Sequence, residues 1–382
     1  MSDSSRQPAL FISHASSLAA APGGVQRCTR EYMRALDAAG FDLEELPYVE
    51  DRRILTRLRR RFFPRPYAHK LPPDLIERCL ATAERLAVRW IFINHGDPAP
   101  LAELIHRRAP GRYRIAVLSH GLDSTDELHE ARIRKEDASA VRATRLGRQL
   151  FAEMRQRQFV DVVFCLSETD LQMERWLGAR RVAVVPRTIS EPPLSLAPQL
   201  GRIGTVSTLN HPPNIEGIER LASALAAHSS VKLRIVGGPR DDGESLARRF
   251  RAVEYVGPLD DEGLRHEAAT WCCFVNPIFC YPRGASTKLA VPLGWRLPIA
   301  TTRAGARGYQ WDERLIPLAE TPEELAAQAT RLASLADRAS ACAAVAALAV
   351  ATPSLPDIAR AMRQVLSSAE KESSLTSASP SA

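Results

Sequence analysis

Short apolar runs alternate with longer amphipathic stretches along most of the chain. In the first half the runs are Ala9–Ser13, Phe41–Pro47, Trp90–Asn94, Arg114–Ser119, Val160–Leu166 and Val182–Pro186. Runs this short, apolar on both faces, predict parallel strands buried between helices. The intervening segments have helical spacing: Val25–Ala39, Leu71–Ala87 and the charged stretch 124–158. The proline-rich segment Ser190–Pro198 opposes regular structure and predicts a linker. Beyond it the pattern resumes with strands at Ile203–Ser207, Lys232–Val236, Val253–Val256, Trp271–Asn276 and Ile299–Thr302. A final helix is expected over Asp357–Ser367, followed by a disordered Ser/Ala/Pro tail. Such βα alternation predicts an α/β protein with two parallel sheets.

Length changes this picture little, since 382 residues suit two domains of ~150–190. The expected boundaries are 1–190, a linker 191–200, 201–352, a crossover helix 353–368 and a tail 369–382. No apolar run reaches the ~18–20 residues of a membrane span, and the polar start MSDSSRQPALF does not read as a signal peptide. The expected location is therefore the cytosol. Seven cysteines without a CxxC pair fit reduced thiols, and Cys280 is a candidate modulator. Nine scattered histidines show no metal-ligand spacing, so neither metal nor cofactor is expected.

Charge adds one feature. Within the insertion 51–87, Arg52–Lys70 (RRILTRLRRRFFPRPYAHK) holds eight basic residues and no acid, interleaved with Phe62, Phe63 and Tyr67. Three readings stay open: a solvated face, a surface for anionic lipid headgroups, and nucleic acid. No nucleic-acid module accompanies it, and nucleic acid is the least favoured of the three.

Ligands of open α/β sheets bind at the carboxyl ends of strands, so the candidate chemistry lies at the loop tips. Gly23-Gly24 opens the first long helix. His95 and His120 each follow a strand as His-Gly, and Asp123 stands three residues beyond His120. His120 is a candidate for bonding a sugar hydroxyl or leaving group, and a satisfied core or loop histidine is the alternative. For His95 that plainer role is preferred. In Val275–Tyr309 two strands open into facing loops, Gly284-Ala-Ser-Thr-Lys288 before a short helix and Ala304-Gly-Ala-Arg-Gly308. Backbone N–H groups, a helix N-terminus and Lys288 there suit an anion, although a plain connection between elements has the same look.

This segment resembles the donor site of family 4-type glycosyltransferases (glycosyl transferases group 1), two-domain enzymes of the GT-B fold. Further segments match in order: PGGVQR at 22–27, FVDVVFCLSE at 159–168, GARRVAVVPR at 178–187, LNHPPNIEG at 209–217 and LRIVGG at 233–238. The resemblance implies two Rossmann-like domains with parallel sheets and a cleft between them. It implies transfer of a sugar, with retained configuration and without metal, from a nucleotide sugar to a glycan or lipid-linked acceptor in cell-surface polysaccharide assembly. Gly284, Ser286, Thr287, Lys288, Gly305, Ala306 and Arg307 would bind donor. His120 and Asp123 would stand at the reaction centre, with Gly23 and Gly24 on the acceptor and sugar side. The chain would work in the cytoplasm, peripheral on the inner face of the membrane through Arg52–Lys70. It departs from the pattern at Arg283 and Val291, where many relatives carry glutamates, and at Thr208 and Pro213, near where they carry Arg and Lys. A non-catalytic GT-B protein of a glycan-assembly complex is the rival reading, and a nucleotide-sugar epimerase a third.

Overall fold

The computed structural model describes residues 6–20, 23–51, 53, 71–96, 99–133, 139–228 and 230–376. The basic stretch Arg52–Lys70 lies outside them except for Arg53, an exposed side chain whose guanidinium binds Asp51.

Six parallel strands form the first sheet: β1 (Gln7–His14), β2 (Phe41–Tyr48), β3 (Trp90–Asn94), β4 (Arg114–Leu118), β5 (Val162–Cys165) and β6 (Val182–Val184), in the order β2-β1-β3-β4-β5-β6. The second contains β7 (Arg202–Thr208), β8 (Lys232–Gly238), β9 (Val253–Gly257), β10 (Cys273–Asn276), β11 (Ile299–Thr302) and β12 (Leu318–Ala319), in the order β12-β11-β10-β7-β8-β9. All eleven expected strands are present. β12 is additional, a two-residue edge strand too short to show a pattern. Strands β3, β4, β5, β10 and β11 are wholly or almost wholly buried, as helices on both faces require. Strand order reverses between β1 and β3 and between β7 and β10, so each sheet opens a crevice at its carboxyl edge.

Helices of the first domain are α1 (Ala15–Leu18), α2 (Gly24–Ala38), α3 (Leu75–Arg85), α4 (Pro100–Arg108), α5 (Asp123–Ile133), α6 (Ala140–Arg157) and α7 (Glu168–Trp176). The second contributes α8 (Pro212–Ala224), α9 (Arg240–Arg249), α10 (Asp261–Ala269), α11 (Ala290–Trp295), α12 (Pro322–Ala333) and α13 (Arg338–Ala351). The linker is irregular but anchored to the second domain. Ala197 and Gln199 donate to the carbonyls of Ala269 and Thr270, and Leu194 to that of Trp295.

The last helix, α14 (Leu355–Thr376), crosses back to the first domain and packs on α2. Ile358, Ala359, Met362, Leu366 and Ala369 join the core built by Phe11, Tyr32 and Phe92. The tail expected from residue 369 is helical as far as Thr376, because Ala369 is buried there and Glu370 accepts the indole N–H of Trp90 at 2.8 Å. By length and composition the segment Arg338–Glu372 is apolar enough to cross a membrane, which the sequence reading did not foresee. It is broken after Ala351, and its two helices pack on different domains: Val345 and Leu348 of α13 on the second, α14 on the first.

Candidate active site

The carboxyl ends of the two sheets face each other across a cavity of about 470 Å³. Gly24, Cys28 and His120 line it from the first domain, Asn214, Thr287, Lys288 and Arg307 from the second. The loops touch. Gly121 and Gly284 have φ of 96° and 70°, the left-handed region that favours glycine. A Cβ on Gly284 would stand 2.6 Å from the carbonyl oxygen of His120, and one on Gly121 would stand 2.3 Å from the Gly284 nitrogen. Neither loop can carry a side chain at this crossing.

Polar contacts hold the crossing shut. The Gly284 N–H donates to Asp170 Oδ1 at 3.3 Å, and the Arg283 N–H to Asp126 Oδ1 at 2.8 Å. The Arg283 guanidinium pairs with Asp126 at 3.1 Å and also with Asp123. Asp170 is set by Ser167, which caps α7 and donates to Oδ2 at 2.6 Å. Burial pushes the Asp170 carboxyl up to about 6, against the opposing pull of Ser167 and Gly284. Burial also raises Asp126.

On the second-domain wall, Lys288 Nζ donates to Ser207 Oγ at 2.9 Å and Asn214 Oδ1 at 2.8 Å. Arg307 is tied by Nε to the Gly284 carbonyl at 3.1 Å and by Nη1 to the Ala304 carbonyl at 2.9 Å. Every one of these acceptors is neutral, and neither cation has a carboxylate within ion-pair distance among the described residues. Burial, reinforced by Arg307, pulls the Lys288 ammonium down to about 7. Two basic groups over one cavity, neither directly ion-paired with a carboxylate among the described residues, favour an anion there. The helix after Lys288, α11, has six residues and begins at Ala290, so side chains rather than a helix terminus supply the charge.

On the opposite wall, His120 Nε2 lies 2.9 Å from Asn94 Oδ1, and its ring packs 5.2 Å from that of His95 and 5.7 Å from that of Tyr32. Burial, His95, Arg283 and Arg187 all oppose a proton and push its pKa well below the ordinary histidine value. The ring is neutral at physiological pH. His95 has φ 76°, a sparsely populated conformation for a non-glycine residue.

Of the residues assigned to the site from sequence, Gly24, His120, Gly284, Ser286, Thr287, Lys288 and Arg307 line the cavity, as do Thr208 and Arg283 at two of the departing positions. The others stand behind it. Gly23 caps α2 with its carbonyl. Asp123 begins α5, is ion-paired with Arg283 and does not line the cavity. Gly305 and Ala306 spend their N–H groups in their own turn, on Thr302 Oγ1 and the Thr302 carbonyl, each at 3.0 Å. They brace the Arg307 loop rather than face a ligand. Cys280 is half-buried, with its thiol pushed up to about 11 by burial, so it is a poor nucleophile at neutral pH.

Sequence reasoning missed Asn94, Asp126, Asp170, His211 and Asn214. The last two lie in the LNHPPNIEG segment, where the polar residues beside the prolines were a usable signal. The acids signal nothing alone, because their partners, Arg283 for Asp126 and the Gly284 N–H for Asp170, come from the other domain.

Residues 201–334 match the family Glycosyl transferases group 1. The fold is similar to that of sucrose-phosphate synthase from Thermosynechococcus elongatus, with TM-score 0.66, 19% identity, and 98% of this chain and 100% of that chain covered. It is similar to HepE of Anabaena, solved in complex with UDP and glucose, with TM-score 0.61, 15% identity, and 95% and 100% covered. A lipopolysaccharide outer core galactosyltransferase, WaaB, aligns with TM-score 0.61, 10% identity, and 95% and 99% covered. No curated protein matches by sequence. Two six-stranded parallel sheets, a crossover helix and a cleft lined by both domains give this chain the GT-B fold, and within it residues 201–334 match the glycosyl transferases group 1 family.

Proposed function

We propose that the protein transfers a sugar from a nucleotide-activated donor to a glycan or lipid-linked acceptor in cell-surface polysaccharide assembly. The observation that carries this reading is the pair Lys288 and Arg307, both lining one interdomain cavity and both held only by neutral acceptors. Departure of a nucleoside diphosphate builds negative charge on its leaving oxygen, and preorganised cations lower that barrier. Lys288, Arg307 and the Gly284–Thr287 backbone would hold the diphosphate, with the sugar beside His120. Transfer would retain configuration and rely on these side chains instead of a metal ion. HepE, similar in fold, is solved with UDP and glucose, which supports a nucleotide sugar as donor.

The acceptor would enter from the first domain, beside Gly23 and Gly24. The protein would work in the cytoplasm against the inner face of the membrane, with Arg52–Lys70 meeting anionic headgroups.

One observation favours a non-catalytic binding role. Val291 packs against the core formed by Leu289, Leu293 and Trp295 and cannot hold a ribose hydroxyl. Thermal denaturation against a panel of nucleotides and nucleotide sugars, followed by transfer assays with the stabilising donor, separates the readings. A donor that raises Tm and is consumed with acceptor supports transfer. Stabilisation without turnover on any acceptor supports the binding role, and no stabilisation by any nucleotide sinks both.

A further inference from the structure

His120 and Asn94 stand at the carboxyl ends of adjacent strands β4 and β3, and a closed set of hydrogen bonds fixes their protons. Thr29 Oγ1 donates to the Val25 carbonyl at 2.9 Å, and Ser13 Oγ to the His14 carbonyl at 3.3 Å. A hydroxyl has one proton to give, so towards Asn94 both oxygens accept. Asn94 Nδ2 donates to each at 3.0 Å. The amide orientation follows, leaving Oδ1 beside His120 Nε2 at 2.9 Å. An amide oxygen only accepts, so Nε2 carries the proton. In a neutral ring Nδ1 is then a bare acceptor. It has no hydrogen-bond partner among the described residues, and the ring lines the cavity.

We infer that Asn94 is a positioning residue: braced by Ser13 and Thr29, it holds His120 as the Nε2–H tautomer, so that the ring offers Nδ1 to a hydroxyl of the bound sugar. This rests on the proposed placement of the sugar beside His120. It also names a substrate feature, since a site built to accept from a hydroxyl discriminates against the deoxy sugar that lacks it. Ser13, Thr29 and Asn94 are all buried, which keeps water from competing for these bonds.

The test is nitrogen NMR of the protein labelled at histidine, with His120→Gln identifying the ring signals. The expected spectrum has a pyridine-type shift at Nδ1 and a pyrrole-type shift at Nε2. The reverse pattern, or a protonated ring at neutral pH, overturns the inference. Asn94→Leu should give mixed tautomers and lower kcat about tenfold with nucleotide affinity unchanged. Asn94→Asp, whose carboxylate still accepts from Nε2, should keep the single tautomer. If Asn94→Leu fails to fold, the double variant Ser13→Ala with Thr29→Val removes the brace and should mix the tautomers by freeing the amide. A single Nε2–H tautomer in either unbraced protein overturns the role of Asn94. The NMR result stands whether or not transfer is observed, so failure of the enzymatic reading and failure of this one are distinguishable.

Discussion

Arg283 of the second domain is ion-paired with Asp126 of the first at 3.1 Å, and its own backbone N–H donates to the same carboxylate at 2.8 Å. One residue thus clasps the cleft through side chain and main chain together. Arg283 occupies a place where the resemblance leads one to expect a glutamate, and a glutamate there would repel Asp123 and Asp126 instead of binding them.

Replacing Arg283 with Glu should therefore open the cleft, raising the radius of gyration in solution scattering and weakening donor binding. Pairs this exposed are worth less than buried ones, so a loss of about 1–2 kcal/mol is expected. Charge reversal of the partner, Asp126→Arg on that background, should restore much of it. Unchanged scattering and affinity in Arg283→Glu would show that the clasp does not hold the domains.

Lys288→Met should weaken nucleoside diphosphate binding by ~1.5–3 kcal/mol, the range for a charge-assisted bond, with little change in fold. The pH dependence has a definite sign. The free protein releases the Lys288 proton at about 7, and a bound anion raises that value, so binding above about pH 7 takes up a proton and weakens as pH rises. Calorimetry near pH 8 in buffers of different ionisation enthalpy should detect that uptake in the parent and not in Lys288→Met.

Asp170 titrates at about 6 in the folded protein because it is buried. The unfolded chain loses this proton near the ordinary carboxylate value. Its contribution to stability is therefore fullest in acid and declines as pH rises through about 6. Asp170→Asn keeps an oxygen for the Gly284 N–H and should remove that part of the pH slope in urea denaturation between about pH 4 and 7. An unaltered slope in the variant would refute the assignment.

The basic stretch supplies a test at the membrane. The protein should sediment with anionic vesicles at low salt, much less with neutral ones, and release as salt rises. Changing Arg57, Arg59, Arg60, Arg61 and Arg65 to Gln should abolish sedimentation and spare donor binding. Binding equal on neutral and anionic vesicles would exclude an electrostatic attachment.

The fold was legible where one segment decides its own fate. Trp90–Asn94 and Trp271–Asn276 are apolar runs bounded by polar turns, and each became a strand whatever surrounds it. The site was legible only on one side at a time. Lys288 and Arg307 follow glycines in recognisable loops, whereas Asp126 and Asp170 matter because the other domain brings Arg283 and Gly284 to them. Asn94 reads as the last residue of an apolar strand, and its role depends on hydroxyls 81 and 65 residues away. Gly305 misled for the opposite reason, because the nearby Thr302 already satisfies its N–H. Periodicity reports burial along one element, but not which elements meet.

The packing of α14 has a consequence for how the polypeptide matures. The core around Phe11, Tyr32 and Phe92 includes Ile358, Met362 and Leu366. During synthesis that core must wait, its apolar α2 face uncovered, until the whole second domain has emerged from the ribosome. Domains usually fold in the order they are made. Here the later half can reach its native state first and the earlier half is completed last, so a released chain truncated before residue 355 would hold a complete second domain beside a first one with its α2 face uncovered.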